Sequence, residues 1–377
     1  MSELFFDLIK VSLGHAACLS RTPSAGEWET LFDMACKHSI AGITMVGVQR
    51  LQRQEQRPSD ILLYQWMGTA MIAQAVNENV NNRCAQLYKQ IASAGLTGCL
   101  LKGQGMTTLY DILPSVDSEF PLSSLRQPGD IDMWILGGYD VVCRFVQGTR
   151  PCTDLSYHRF HYHIFDDVEV ELHQHPSLMN NPFHNRILQK WAEGFEEKEF
   201  IWNEKIGCYV PPSQFNKVFS LCHIYRHLVA EGIGLRQLMD YYFILLNSEA
   251  EENAKVTEVI CQLGMKRFAR AVMWIMQDLF CLPKDKMLFE PDNEEGQYIL
   301  NEVLRAGNFG QYDERYDHRG RYAMQIQNIR HSCHLVMHYP SEVLWSPLWL
   351  IWHKLWKWKK IKDIEKLYGN ITDEDEI

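Results

Sequence analysis

The chain has 377 residues, 46% of them hydrophobic, a formal net charge of -10 and 11 cysteines. That length exceeds what one core usually carries, so two or three packed modules are expected, and the apolar content excludes a disordered chain. The acidic balance argues against broad non-specific binding to nucleic acid. The cysteines are odd in number and form no Cys-x-x-Cys pair, which points to reduced thiols in a cytoplasm rather than a disulfide framework or a zinc site. The segment Met1 to Ile9 lacks a signal-peptide pattern, and no uncharged stretch is long enough to cross a bilayer.

In chain order the first elements are helices. Ser24 is placed to cap a helix carrying Trp28, Leu31, Phe32 and Ala35, with Glu27 three residues later as in a capping box. A long helical pattern runs from about Ile61 to Ala94, and Gly95 stops it. Gly98-Cys99-Leu100-Leu101 is a short apolar run ending in Lys102-Gly103-Gln104-Gly105, after which a helical pattern continues through Leu109. The stretch from Asp111 to Gln127, rich in Pro, Ser and acids, reads as a loop.

Pro128-Gly129-Asp130-Ile131-Asp132-Met133-Trp134-Ile135-Leu136 then predicts a strand. Its pleat sends both carboxylates to one face and buries Ile131, Met133 and Ile135 on the other. Gly137-Gly138 and a helix around Tyr139 to Val146 follow. Tyr157 to Phe165 and Val168 to His173 predict two more strands, with Asp166-Asp167 as a tight hairpin turn. In the second of these, Val168, Val170 and Leu172 alternate with Glu169, Glu171 and His173. A further strand is expected near Glu199 to Tyr209; Pro211-Pro212 breaks the chain, and helices continue to about Tyr368 before the acidic tail Asp373-Glu374-Asp375-Glu376. The expected fold is α+β: a small mixed-sheet core over residues 76–209, between a helical region 1–75 and a helical domain 210–377.

Two anions held side by side repel each other unless a cation lies between them. The simplest cation for Asp130 and Asp132 is a divalent metal with oxygen ligands, magnesium above all. An Asp-x-Asp pair alone also describes a solvated strand end. The glycine turn upstream and the alternating acids downstream make it a site, because turn N–H groups favour phosphate oxygens and Lys102 adds a point charge. Three carboxylates from neighbouring strands can hold two magnesium ions, one activating an acceptor oxygen and one neutralising a triphosphate. Glu169 shares a face with Glu171 and is the alternative third ligand.

The order Leu101-Lys102-Gly103, then Arg126 and Asp130-Ile131-Asp132, then Val170-Glu171-Leu172-His173 resembles the uncharacterised bacterial nucleotidyltransferase family of the DNA polymerase β-like superfamily. Trp28, Ala35 and His38 fit its N-terminal segment, and His227, Gly234, Arg236 and Asp240 fit its C-terminal signature. The resemblance implies an enzyme that moves a nucleoside monophosphate from a nucleoside triphosphate such as ATP to an acceptor and releases pyrophosphate. By resemblance Asp130, Asp132 and Glu171 hold magnesium and serve catalysis, and Glu171 helps activate the attacking hydroxyl. Lys102, Gly103, Gln104, Gly105 and Arg126 bind the nucleotide. Glu169, His173, His227, Arg236 and Asp240 are expected behind these groups. The superfamily's turn usually carries Gly followed by Gly or Ser. Here Gln104 follows Gly103, so Lys102 and Arg126 are expected to replace the hydroxyl contact.

Other readings stay open. Gln104 in the turn fits a catalytically inactive nucleotide-binding module. His161 and His163 on one strand face, with His158 and His175 near, fit a His-rich metallohydrolase or, more simply, a polar strand face of hydrogen-bonded imidazoles. Arg236 and Asp240, four apart, also fit an ordinary helix salt bridge. Trp345, Trp349, Trp352 and Trp356 share a helix face amid Lys354, Lys357, Lys359, Lys360 and Lys362. That helix suits peripheral membrane contact, nucleic-acid stacking, or indoles packed on the body with lysines toward water. The acceptor is left open among small molecules, proteins and RNA.

Overall fold

The computed structural model describes residues 2–114, 121–313 and 334–369. The acidic tail Asp373–Glu376 lies outside them. The chain gathers into two compact units: one from Met1–Asn79, Met106–Pro128 and His223–Ser332, the other from Val80–Gly105, Gly129–Cys222 and Cys333–Ile377. The ten cysteines among the described residues are free thiols.

The first unit is helical. The helix Ala25–Lys37 starts as its sequence predicts: the Ser24 hydroxyl accepts from Glu27 N–H, and the Glu27 carboxylate accepts from Ser24 N–H. Trp28, Leu31 and Ala35, spaced by three and four, are its buried face. The long helix Asp60–Ser93 matches the predicted one, and the chain leaves it through Gly95 at φ +72°. The helix Leu235–Leu246 buries every residue from Leu235 to Leu245, the signature of a helix at the centre of a core.

The second unit holds both sheets. Strands β1 (Gly98–Leu100), β2 (Ile131–Ile135), β3 (Arg159–His161) and β4 (Val170–His173) lie in the order β1-β2-β4-β3. β2 and β4 are parallel, with Asp132 beside Glu171 and Trp134 beside His173; β1 and β3 run antiparallel to their neighbours. Alternation divides the side chains. Ile131, Met133, Ile135, Phe160, Val170 and Leu172 enter a core with Leu87, Ile91, Val142 and Val146. On the other face Trp134 packs among Phe200, Phe215 and Phe219. Strands β5 (Ile201–Asn203) and β6 (Cys208–Val210) make a hairpin where one strand was expected.

The predicted Asp166-Asp167 hairpin turn is replaced by a longer connection. Pairing continues past β3 to Tyr162 N–H on the Val170 carbonyl, and residues 163–169 form the connection, with Ile164, Phe165 and Val168 half-buried against the core. Asp167 is drawn to the Arg83 guanidinium at 3.0 Å instead of turning the chain.

In the first unit His38 is 2% exposed, and burial holds its imidazole down at about 4. Its Nδ1 accepts from Leu235 N–H at 3.4 Å, so the neutral ring is the bonded form. A folded value below the unfolded 6.5 gives stability that is complete above pH 6.5 and falls as pH drops toward 4. The loss is expected to reach about 3 kcal/mol. His38→Gln should flatten that slope in urea titrations repeated at pH 7.5 and pH 4.5; an unchanged slope would assign it to another group.

Candidate active site

The parallel pairing of β2 with β4 puts the acids on one sheet face. The Asp132 side chain is fully buried, and Glu171 is 3% exposed. His173 stands between them, with Nε2 at 2.9 Å from Asp132 Oδ1 and 3.4 Å from Glu171 Oε2. Across the next strand pair, Arg159 Nη1 donates to Glu171 Oε2 at 2.6 Å. From the end of β1, Lys102 Nζ lies 3.1 Å from Asp132 Oδ2 and 3.4 Å from Asp130 Oδ2, with its hydrogen bond directed to Asp130. Asp132 Oδ2 is thus buried beside a cation but without a hydrogen bond.

Three carboxylates therefore meet three cations. Burial pushes the Glu171 carboxyl up, yet the hydrogen bond from His173 and the charges of Arg159 and Lys102 outweigh it and hold it at about 2. Burial pulls His173 down, and its bonds to Asp132 and Glu171 reverse this and raise it. Nε2 faces Asp132, and Nδ1 faces the His175 carbonyl at 3.3 Å, so each ring nitrogen meets an oxygen. Lys102 is likewise raised, its desolvation outweighed by Asp130, Asp132 and Glu171.

Asp132, Glu171 and His173 each offer one ligand atom within 4.8 Å of the others, the one such group of three among the described residues. This grouping and the orphaned Asp132 Oδ2 fit a bound cation. His158, His161, His163 and His175 do not gather into a zinc cluster among the described residues; His163 is exposed, and His158 hydrogen-bonds Ser156. Glu169 is exposed, whereas Glu171 points into the buried group.

The Lys102-Gly103-Gln104-Gly105 turn has the predicted shape. Gly103 sits at φ +61°, a left-handed conformation that a side chain would strain. A Cβ on Gly105 would lie 2.8 Å from the Leu100 carbonyl oxygen. Gln104 departs from expectation: its side chain turns inward, 1% exposed, and Nε2 donates to Asn81 Oδ1 at 2.8 Å. It braces the turn through Asn81.

Arg126 also departs from its predicted phosphate role. It belongs to the first unit, where Nε and Nη2 each donate to the Asp240 carboxylate at 2.7 Å and Nη1 donates to the Gln127 carbonyl. Three of its five N–H groups are committed in this way, and the Asp240 carboxylate is their main partner. Tyr110 Oη donates to the same carboxylate at 2.6 Å. Arg236, expected opposite Asp240, instead donates to the carbonyls of Gln127 and Pro128 at 3.0 and 3.2 Å. The C-terminal signature is a latch on the segment Arg126–Pro128. His227 pairs with Glu231, and its other nitrogen lies 3.0 Å from Arg226.

The residue that sequence reading missed is Arg159. Its signal was strand parity: Arg159 and His161 alternate around Phe160 on the strand beside β4, and one of them had to face Glu171.

The structure is thus a mixed α+β fold with buried acids on adjacent parallel strands beside a glycine turn. The chain belongs to the family described as Uncharacterised nucleotidyltransferase, whose model matches residues 24–281, more than half of the sequence. No curated protein and no solved structure matches it. Among the described residues no helix is long and apolar enough to cross a membrane.

Asp240→Ala would leave the Arg126 guanidinium buried without its carboxylate. The expected cost is about 3–5 kcal/mol in urea unfolding, whereas the apolar pair Arg126→Met with Asp240→Leu should recover most of it. Equal losses in both variants would mean that the latch works through shape alone.

Proposed function

We propose that this chain transfers a nucleoside monophosphate from a nucleoside triphosphate to an acceptor hydroxyl, and that divalent cations, two magnesium ions, serve the reaction. The observation that carries the reading is the buried grouping of Asp132 with Glu171 and His173, in which Asp132 Oδ2 has no hydrogen bond. The oxygen donors Asp132, Glu171 and Asp130 are the ligand set, which suits a hard cation. When bound, such an ion lowers the pKa of the acceptor hydroxyl and offsets charge on the departing pyrophosphate.

The chain's own groups do the rest. The acceptor oxygen bonds to the α-phosphorus, the bond from that phosphorus to the β-phosphate oxygen breaks, the hydroxyl proton passes to water, and pyrophosphate leaves. Glu171 acts as a ligand and positioning group. His173 and Arg159 hold the two carboxylates in place. Lys102 balances the aspartates and, on its flexible stem beside the glycine turn, would reach a bound triphosphate.

One observation favours a second reading, a nucleotide-binding module without catalysis. The carboxylates are already neutralised by Lys102, Arg159 and His173, so an incoming ion must displace a charge.

Asp132→Asn preserves shape and removes the charge. It is expected to lower magnesium-dependent release of pyrophosphate on the order of a thousandfold, with an unchanged circular dichroism spectrum. Turnover equal to the wild type would refute the assignment. Magnesium-dependent nucleotide binding with no pyrophosphate release from the wild type, across all four triphosphates and a cell extract as acceptor source, would establish the binding module.

A further inference from the structure

The second unit contains a cavity of about 900 Å³ between the helix Pro182–Ala192 and the helix Pro340–Tyr368. Its floor is Tyr157, whose ring stacks on His175 at 4.8 Å and meets Trp349 and Trp352 edge-on at 5.2 and 5.5 Å. Tyr157 lies just before β3 and His175 just after β4, where the His175 N–H donates to the His158 carbonyl at 3.2 Å. From Glu171 the backbone reaches His175 within at most about 14 Å.

We propose that this cavity binds the body of the acceptor, and that the acceptor is an anionic sugar: a sugar phosphate or a sugar acid. The inference rests on the nucleotidyl-transfer reading and deepens it. In-line displacement requires the attacking oxygen and the leaving pyrophosphate on opposite sides of the α-phosphorus. Lys102 and its turn lie at the β1 side of Asp132, so the leaving group belongs there. The attacking hydroxyl then comes from the β4–β3 side, and Tyr157 and His175 of the cavity wall are the residues that flank those two strands in the chain.

The lining selects the ligand. Rings with an exposed face favour a molecule with an apolar face of its own, and a sugar ring presents one through its C–H bonds. Gln189 lies in the same wall, 8% exposed, and its buried Oε1 is an acceptor without a hydrogen-bond partner. Glu193 adds acceptor oxygens on the same wall. Arg186 and Lys190, one helical turn apart on that wall, have no ion-pair partner among the described residues and call for an anion. The cations outnumber the one carboxylate. A neutral sugar would leave both unused, and a flat aromatic ring would leave Gln189 and Glu193 unmatched.

The tryptophans are their own reporters. Intrinsic fluorescence of the full chain should change saturably on titration with a panel of hexose phosphates, pentose phosphates and hexuronates. The neutral parent sugars should bind at least tenfold more weakly. Arg186→Gln with Lys190→Gln should weaken binding of the charged sugars at least tenfold, and Trp349→Ala should remove most of the signal. Asp132→Asn should leave sugar binding unchanged, which separates this site from the catalytic assignment: turnover can fail while the cavity still fills. No saturable change with any member of the panel, equal affinity for neutral and charged sugars, or displacement of bound sugar by nucleoside triphosphate alone would each overturn the proposal.

Discussion

The structure turns on one constraint: three carboxylates and three cations share one buried sheet face. Asp132 has no exposed side-chain surface, and a lone buried carboxylate in that position would be untenable. His173 and Lys102 make it tenable, and Arg159 does the same for Glu171. The compensation is geometric as well as electrostatic. Each imidazole nitrogen is spent on an acceptor, so the ring cannot rotate without losing a bond. The acids are therefore held in place before any ligand arrives, which is the property that electrostatic catalysis needs.

Sheet topology supplies that arrangement. Parallel neighbours place Asp132 and Glu171 side by side, and the apolar residues between the acids enter the opposite core. A slip of one residue in β4 would send Glu171 into that core and Leu172 toward the aspartates, so the burial of Ile131, Met133, Val170 and Leu172 enforces the register of the site. Packing and chemistry are thus read from the same alternation.

This is why the strands and the paired acids were legible in the sequence. Alternation is a local code, and the Ser24–Glu27 cap and the Gly95 stop are local codes too. Arg126 was not legible, because its partner Asp240 lies 114 residues away and nothing near either residue announces the pair. Gln104 misled for a similar reason. Its place in the turn marked it as a ligand contact, while Asn81 on a distant helix turned it inward. The Asp166-Asp167 turn failed because Arg83, on that same long helix, offered Asp167 a better partner than a tight bend could. The C-terminal tryptophans divide between readings: Trp349 and Trp352 pack on Tyr157, yet Trp352 remains 44% exposed and Trp358 60% exposed.

The three cations are not equivalent, and that bears on how a neutralised site can work. His173 is fixed at both nitrogens and 3% exposed. Arg159 reaches across a strand pair and holds Glu171 at 2.6 Å. Lys102 has one long hydrogen bond, a flexible stem and a foothold on a glycine turn. It is the cheapest of the three to move, and it lies against both aspartates that would hold an ion. Under the proposed transfer, the charge that leaves is therefore the one already next to the turn where phosphates would rest. The site would exchange one cation for another without ever exposing Asp132 uncompensated.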